Sequence, residues 1–233
     1  MRLIRIVTLT MILTIHSSIS WGSADECRNH ASSENWNAAY EHCSRAAASG
    51  NADSQFILAE LYRNGDGTAR NVQNAFKWTE RSAEQGIPEA LGNLGLYYKN
   101  GVGVGRNYEK AEHYLRLAAE EGFPRAQSNL AVMYAEGLGV TVDLDEAYKW
   151  WEKSAKQGNP PAQFNLALLY AGKDTKIADL ETAHMWFLLS AAGGYSEAEH
   201  ALSQIGQHMT ERQIENSIQR ARACNDSDYD RCD

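Results

Sequence analysis

Gly50, Gly86, Gly122, Gly158 and Gly194 stand 36 residues apart, and this interval constrains the fold more than any other feature of the chain. The same step links Ala39, Ala75, Ala111, Ala147 and Ala183, and also Leu58, Leu94, Leu130, Leu166 and Leu202. Tyr62, Tyr98, Tyr134 and Tyr170 keep it too. Independent columns locked to one period mark a supersecondary unit copied along the chain. Such a unit cannot bury its apolar face alone, so copies must stack on one another.

Each unit reads as two helices. Ala90, Leu94, Tyr97 and Tyr98 recur at helical spacing in the first, and Ala75, Trp78, Ser82 and Ala83 do so in the second. Asn71, Asn107, Asp143 and Asp179 precede the second helices, where a short polar side chain caps free N–H groups. Glu109, Asp145 and Glu181 follow, favourable at the positive end of the dipole. The periodic glycines end these helices, and Pro88, Pro124 and Pro160 come two residues later. Between the two helices lie Gly65-Asp66-Gly67, Gly101-Val102-Gly103 and Gly137-Leu138-Gly139. A phosphate-cradling loop follows a strand and occurs once. These loops follow helices and recur, so they are turns. The column Trp78, Tyr114, Trp150 and Trp186 reads as core rather than as a ligand cage.

The pattern Ala-x-x-x-Leu-(Gly/Ala)-x-x-Tyr, then Gly-x-Gly, then Ala-x-x-Trp and Ala-x-x-Gly resembles the Sel1-like repeat. The clearest copies run Glu89 to Gly122 and Arg125 to Gly158. Ser54 to Gly86 and Ala162 to Gly194 are further copies, the last with Gly172-Lys173-Asp174-Thr175 in place of Gly-x-Gly. The resemblance implies an all-α fold, a right-handed α-solenoid of about four to five helix-turn-helix repeats with capping helices.

The ends differ from the repeats. A basic start with Arg2 and Arg5, an apolar run from Ile6 to Ile15 and small residues after it read as a signal peptide over 1–24. A capping segment, with one helix from Glu34 to Ser49, is expected over 25–51, the solenoid over 52–207, and a last helix with an acidic tail over 208–233. Thr210-Glu211-Arg212-Gln213 reads as a capping box opening that last helix. The four cysteines allow three pairings. Closure within each end, Cys27 with Cys43 and Cys224 with Cys232, is expected because the ends of an elongated fold lie far apart. His30 and His42 flank the first pair, but their spacing matches no familiar zinc pattern, and no metal or cofactor is expected. The destination is the periplasm or beyond, with no membrane association after signal cleavage.

The net charge of −8, with no basic cluster to reverse it locally, argues against nucleic acid as a partner. Motifs for serine, zinc or thiol chemistry are missing. His113, His184, His200 and His208 are scattered through predicted helices at unequal intervals. Asn93, Asn129 and Asn165 are harder to dismiss, because Asn is a mediocre helix former and these recur mid-helix. They could form a ladder to neighbouring repeats. Alternatively they edge a concave surface and hold an extended peptide backbone, with Gln55, Gln127 and Gln163 adding amide contacts. The resemblance leaves both roles open, and tetratricopeptide arrays of similar architecture use inner-helix Asn in the second way. It implies a monomeric, non-enzymatic scaffold for a protein or peptide partner. The alternative is a hydrolase of the β-lactamase-like, cysteine-rich Sel1-like kind, from which the cysteine-free central repeats depart.

Overall fold

The computed structural model describes residues 23–172, 178–230 and 232. The signal-peptide reading therefore lies outside the described residues apart from its last two positions, as does most of the Gly172–Thr175 turn. All regular structure among the described residues is helical. Residues 23–32 form α1. There follow α2 (Trp36–Ala48), α3 (Ala52–Asn64), α4 (Val72–Ala83), α5 (Pro88–Asn100), α6 (Tyr108–Glu120), α7 (Pro124–Glu136), α8 (Leu144–Ala155), α9 (Pro160–Ala171), α10 (Leu180–Ala192), α11 (Ser196–Gly206) and α12 (Glu211–Asp226). These are the stacked hairpins of an α-solenoid. They gather into two compact units, Met1–Tyr114 and Leu115–Asp233, divided within α6.

In the first unit α2 packs on α3, α3 on α4 and α4 on α5. Its capping end is a helix pair, which corrects the expected lone helix from Glu34 to Ser49. Glu34 takes a left-handed turn (φ 57°), α2 starts at Trp36, and α1 lies beside it through the Cys27–Cys43 disulfide (Cα–Cα 4.6 Å). The apolar face of α1 is built of small residues, Ala24 and Cys27, so its periodicity is too faint to announce a helix. Cys27, Ala39, Cys43, Ala47, Leu58 and Leu61 form the core beneath.

In the second unit α7 packs on α8, α8 on α9, α9 on α10, and α10 on both α11 and α12. The capping box at Thr210 forms, with Gln213 N donating to Thr210 Oγ1 and Thr210 N to Gln213 Oε1. Cys224 and Cys232 are bonded, closing the tail onto α12. Trp150 and Trp186 are buried and Trp78 and Tyr114 half-buried, as a core column requires.

The expected stops and starts hold. Asn71, Asn107 and Asp143 each accept the amide three residues on, at 2.9 Å, and Asp179 accepts that of Glu181 at 3.0 Å. Gly50, Gly86, Gly122, Gly158 and Gly194 all have positive φ. The amide after each bonds five residues back, as when Phe123 N meets Ala118 O at 3.0 Å. In the Gly-x-Gly turns the first glycine is the left-handed cap of the first helix. The second comes against a neighbouring backbone: a Cβ on Gly67 would lie 2.1 Å from Trp36 O, and one on Gly103 2.6 Å from Val72 O. Gly172 instead is extended, with φ −70°.

Polar columns tie the hairpins. Ser82 Oγ donates to Ala52 O (2.9 Å), Ser154 Oγ to Pro124 O (2.7 Å) and Ser190 Oγ to Pro160 O (2.8 Å), joining the two helices of one hairpin. Gln55, Gln127 and Gln163 are buried, and their Nε2 groups donate to Ala47 O, Ala119 O and Ala155 O at 3.2, 3.1 and 3.2 Å. Gln85 and Gln157 then donate to Gln55 Oε1 and Gln127 Oε1 at 2.7 and 2.8 Å. The second copy carries Leu91, Ala118 and Glu121 at these three positions.

Candidate binding site on the first helices

The faces of the first helices that the core does not use carry the asparagine column. Asn93, Asn129 and Asn165 are half-buried on α5, α7 and α9. Helical spacing puts Asn165 and Leu168 on one face, and Leu168 is 47% exposed.

In the first unit Asn93 Nδ2 donates to Glu60 Oε1 on α3 at 3.2 Å, a rung between neighbouring hairpins. Glu60 also pairs with Arg63, and Asp53 on the same helix pairs with Arg28 at 3.0 Å. In the second unit Asn129 Nδ2 donates to Arg125 O, one turn back in its own helix, at 2.8 Å. A groove of about 460 Å³ lies between α9, α10 and α11, with Leu168, Phe187 and Ile205 as apolar walls and Gln204 and His208 as polar wall residues. Such a surface offers amide groups and an apolar trough.

The glutamines do not belong to this face. The expectation that Gln55, Gln127 and Gln163 contact a ligand is corrected by their burial and by their bonds to helix-end carbonyls. Their regular spacing follows from the repeat, in which three of the four copies set a glutamine against the same helix-end carbonyl.

The tyrosine column makes contacts that single-position reading missed. Tyr40 and Tyr62 hydroxyls lie 3.0 Å apart and Tyr148 and Tyr170 hydroxyls 3.2 Å apart, each pair 22 residues apart in sequence. Burial first, then the bond to Tyr40, pushes Tyr62 up to about 12. His184 also has an unforeseen partner, with Nδ1 2.8 Å from Ser217 Oγ. That hydroxyl donates to Ile214 O at 2.6 Å, so the imidazole Nδ1–H donates to the serine. Both residues are buried, and burial pulls the imidazole below its ordinary value of 6.5. A serine whose proton points at a carbonyl, sealed from solvent, is a packing contact rather than a nucleophile.

At the capping end the His30 and His42 rings lie 5.1 Å apart, and His42 Nδ1 faces Glu26 Oε2 at 2.7 Å. The nearby cysteines are in a disulfide. No group of three potential metal ligands occurs among the described residues. Nor, among those residues, is any helix long and apolar enough to cross a membrane.

A family model for the Sel1 repeat matches four consecutive segments, residues 52–87, 88–123, 124–159 and 160–195. The chain belongs to the Sel1 repeat family. Its solved relatives include a Sel1 repeat protein from Oxalobacter formigenes, 34% identical, with a TM-score of 0.71 over 78% of this chain and 74% of that one. A protective antigen present in uropathogenic Escherichia coli strains, with an SLR fold, is 29% identical, with a TM-score of 0.66 over 79% of this chain. This chain spans 42% of that antigen. An immunity protein from Pseudomonas aeruginosa, 20% identical, shares the fold with a TM-score of 0.55 over 90% of this chain and 81% of its own. No curated protein matches the sequence. Sel1 repeats generally serve as protein-interaction scaffolds, and this Sel1 repeat protein carries four of them.

Proposed function

We propose that this protein is an exported, non-enzymatic scaffold that holds a protein or peptide segment on the exposed face of its first helices. The observation that carries the reading is the half-buried asparagine column on that face, with Leu168, one turn from Asn165, in the wall of an apolar groove. A helix pair already locked by packing loses little entropy when a flexible segment docks on it, so more of the contact energy appears as affinity. Within the second unit Asn129, by exchanging its bond to Arg125 O, and Asn165 would bond the partner backbone, and the groove would take an apolar side chain. Asn93 would do so by exchanging its bond to Glu60. Gln55, Gln127 and Gln163 have no part in recognition. Two disulfide-bonded pairs fit an oxidising compartment, and export to the periplasm or beyond is part of the proposal.

The test is crosslinked capture from the native envelope, repeated with Asn93, Asn129 and Asn165 all replaced by Ala. Partner recovery should fall by at least about tenfold while the helical circular dichroism is unchanged, as removal of two or three interfacial hydrogen bonds of about 1 kcal/mol each predicts. Equal recovery with the triple variant would remove this face from the mechanism.

A further inference from the structure

A second cavity, of about 220 Å³, lies within the second unit away from the asparagine column. Its polar lining is Tyr148 and Glu152 from α8, Tyr170 from α9, Thr182 from α10, Arg220 from α12 and Cys232 of the tail. The repeat itself explains why a space is left here. Two earlier tyrosines of the column have their hydroxyls met by a cation of an adjoining helix: Lys110 Nζ, on the helix after Tyr98, lies 3.5 Å from Tyr98 OH, and Arg116, on the helix before Tyr134, donates to Tyr134 OH. Thr182 occupies the register of Lys110, so α10 brings no cation to Tyr170. The cation comes instead from α12. Arg220 Nη1 donates to Thr182 Oγ1 at 3.0 Å, and that hydroxyl passes its own proton to Asp179 Oδ2 at 2.5 Å. A guanidinium has five N–H donors in a planar fork, and this bond engages only one. Opposite it stand the paired phenols of Tyr148 and Tyr170. Burial pushes the Tyr148 hydroxyl well above its ordinary value, so it remains a donor at neutral pH. Glu152 accepts from Tyr148 OH at 3.4 Å and pairs with Lys156 at 3.2 Å, so its charge is already partnered.

We propose that this cavity binds a carboxylate, seated between the Arg220 guanidinium and the Tyr170 hydroxyl, which turns from Tyr148 to donate to it, with Cys232 in the cavity wall. A guanidinium fork matches a carboxylate in geometry and charge. The space is below the roughly 300 Å³ of an ordinary ligand pocket, so it takes a head group and a few adjoining atoms. A small organic acid and the free C-terminus of a peptide present the same group. This site is independent of the asparagine face, and either could fail without the other.

The test uses the full chain with both disulfides intact and measures binding by isothermal titration. The probes are N-acetylalanine and N-acetyl-trialanine, each compared with its C-terminal amide. Both acids should bind saturably and both amides should bind at least about tenfold more weakly, since the charge-assisted bonds are lost. The acid affinity should fall at least about tenfold in Arg220→Gln and about threefold in Tyr170→Phe. Tighter binding of the longer acid identifies a peptide end as the ligand, and equal binding identifies a small acid. Amides that match their acids, or acids that do not saturate, would overturn the proposal. If Arg220→Gln fails to fold, the acid–amide comparison in the unaltered chain and the Tyr170→Phe variant still decide it.

Discussion

Gln127 and Gln163 occupy one register position, yet replacing each by Leu should have different consequences. Gln127 makes two side-chain bonds, to Ala119 O at 3.1 Å and from Gln157 Nε2 at 2.8 Å. Gln163 makes one, to Ala155 O at 3.2 Å, and its buried Oε1 has no partner among the described residues. The difference lies at the end of the following helix. Gly193 stands where Gln157 stands one copy earlier, and a Cβ there would come within 2.5 Å of Pro160 Cγ. Both acceptor carbonyls keep a backbone bond, from Gly122 N at 3.1 Å and Gly158 N at 2.9 Å, so neither is orphaned. A net bond contributes about 1 kcal/mol, so Gln127→Leu should destabilise by about 1–3 kcal/mol. In Gln163→Leu a loss of about 1 kcal/mol is set against relief of a buried unbonded acceptor worth about 1–3 kcal/mol, leaving a change between about zero and about 2 kcal/mol of stabilisation. Leu91 at this register in the second copy shows that the position accommodates a leucine. Urea unfolding followed by tryptophan fluorescence would report both variants. Equal costs would refute the assignment of these glutamines to a repeat-linking ladder whose last rung is missing.

Three further outcomes follow from the same contacts. Gly67→Ala combines a positive φ of 65° with a Cβ 2.1 Å from Trp36 O, so it should cost clearly more than Gly86→Ala, whose Cβ would meet nothing; about 1–2 kcal/mol for the φ alone is expected at Gly86, and parity in thermal denaturation would contradict the close approach. His184 titrates below 6.5 in the fold because burial disfavours its charged form, so its stabilising contribution is present above 6.5 and is lost as the pH falls through its lowered folded value. His184→Gln should flatten the decline in stability over that window, and an unchanged slope would show that another group controls it. Reducing the Cys27–Cys43 bond, which spans 16 residues, should lower stability by about 3 kcal/mol on the chain-entropy model, and Cys27→Ser/Cys43→Ser melting like the oxidised parent would show the cap to be held by packing alone.

Hairpin boundaries, caps and stops were legible because each depends on residues close together in sequence. Asn71 bonds an amide three residues on, and Gly158 needs only its own φ. The exception is α1, whose face is too small in residue size to stand out before Cys43 is known to lie against it.

The sequence alone determined that this chain is a stack of 36-residue helix pairs, because every copy repeats the same local chemistry and one period aligns it. Only the tertiary structure decided what the recurring polar residues do. Gln55 and Asn93 are both amides in columns, but one is buried on a neighbouring helix-end carbonyl and the other is half-exposed beside Glu60. Arg220 and Tyr170 are 50 residues apart, with nothing in the period relating them, and meet only because α12 packs back on α10. Periodicity reports which residues are equivalent; burial and direction, which fix their roles, are set by the neighbouring helices.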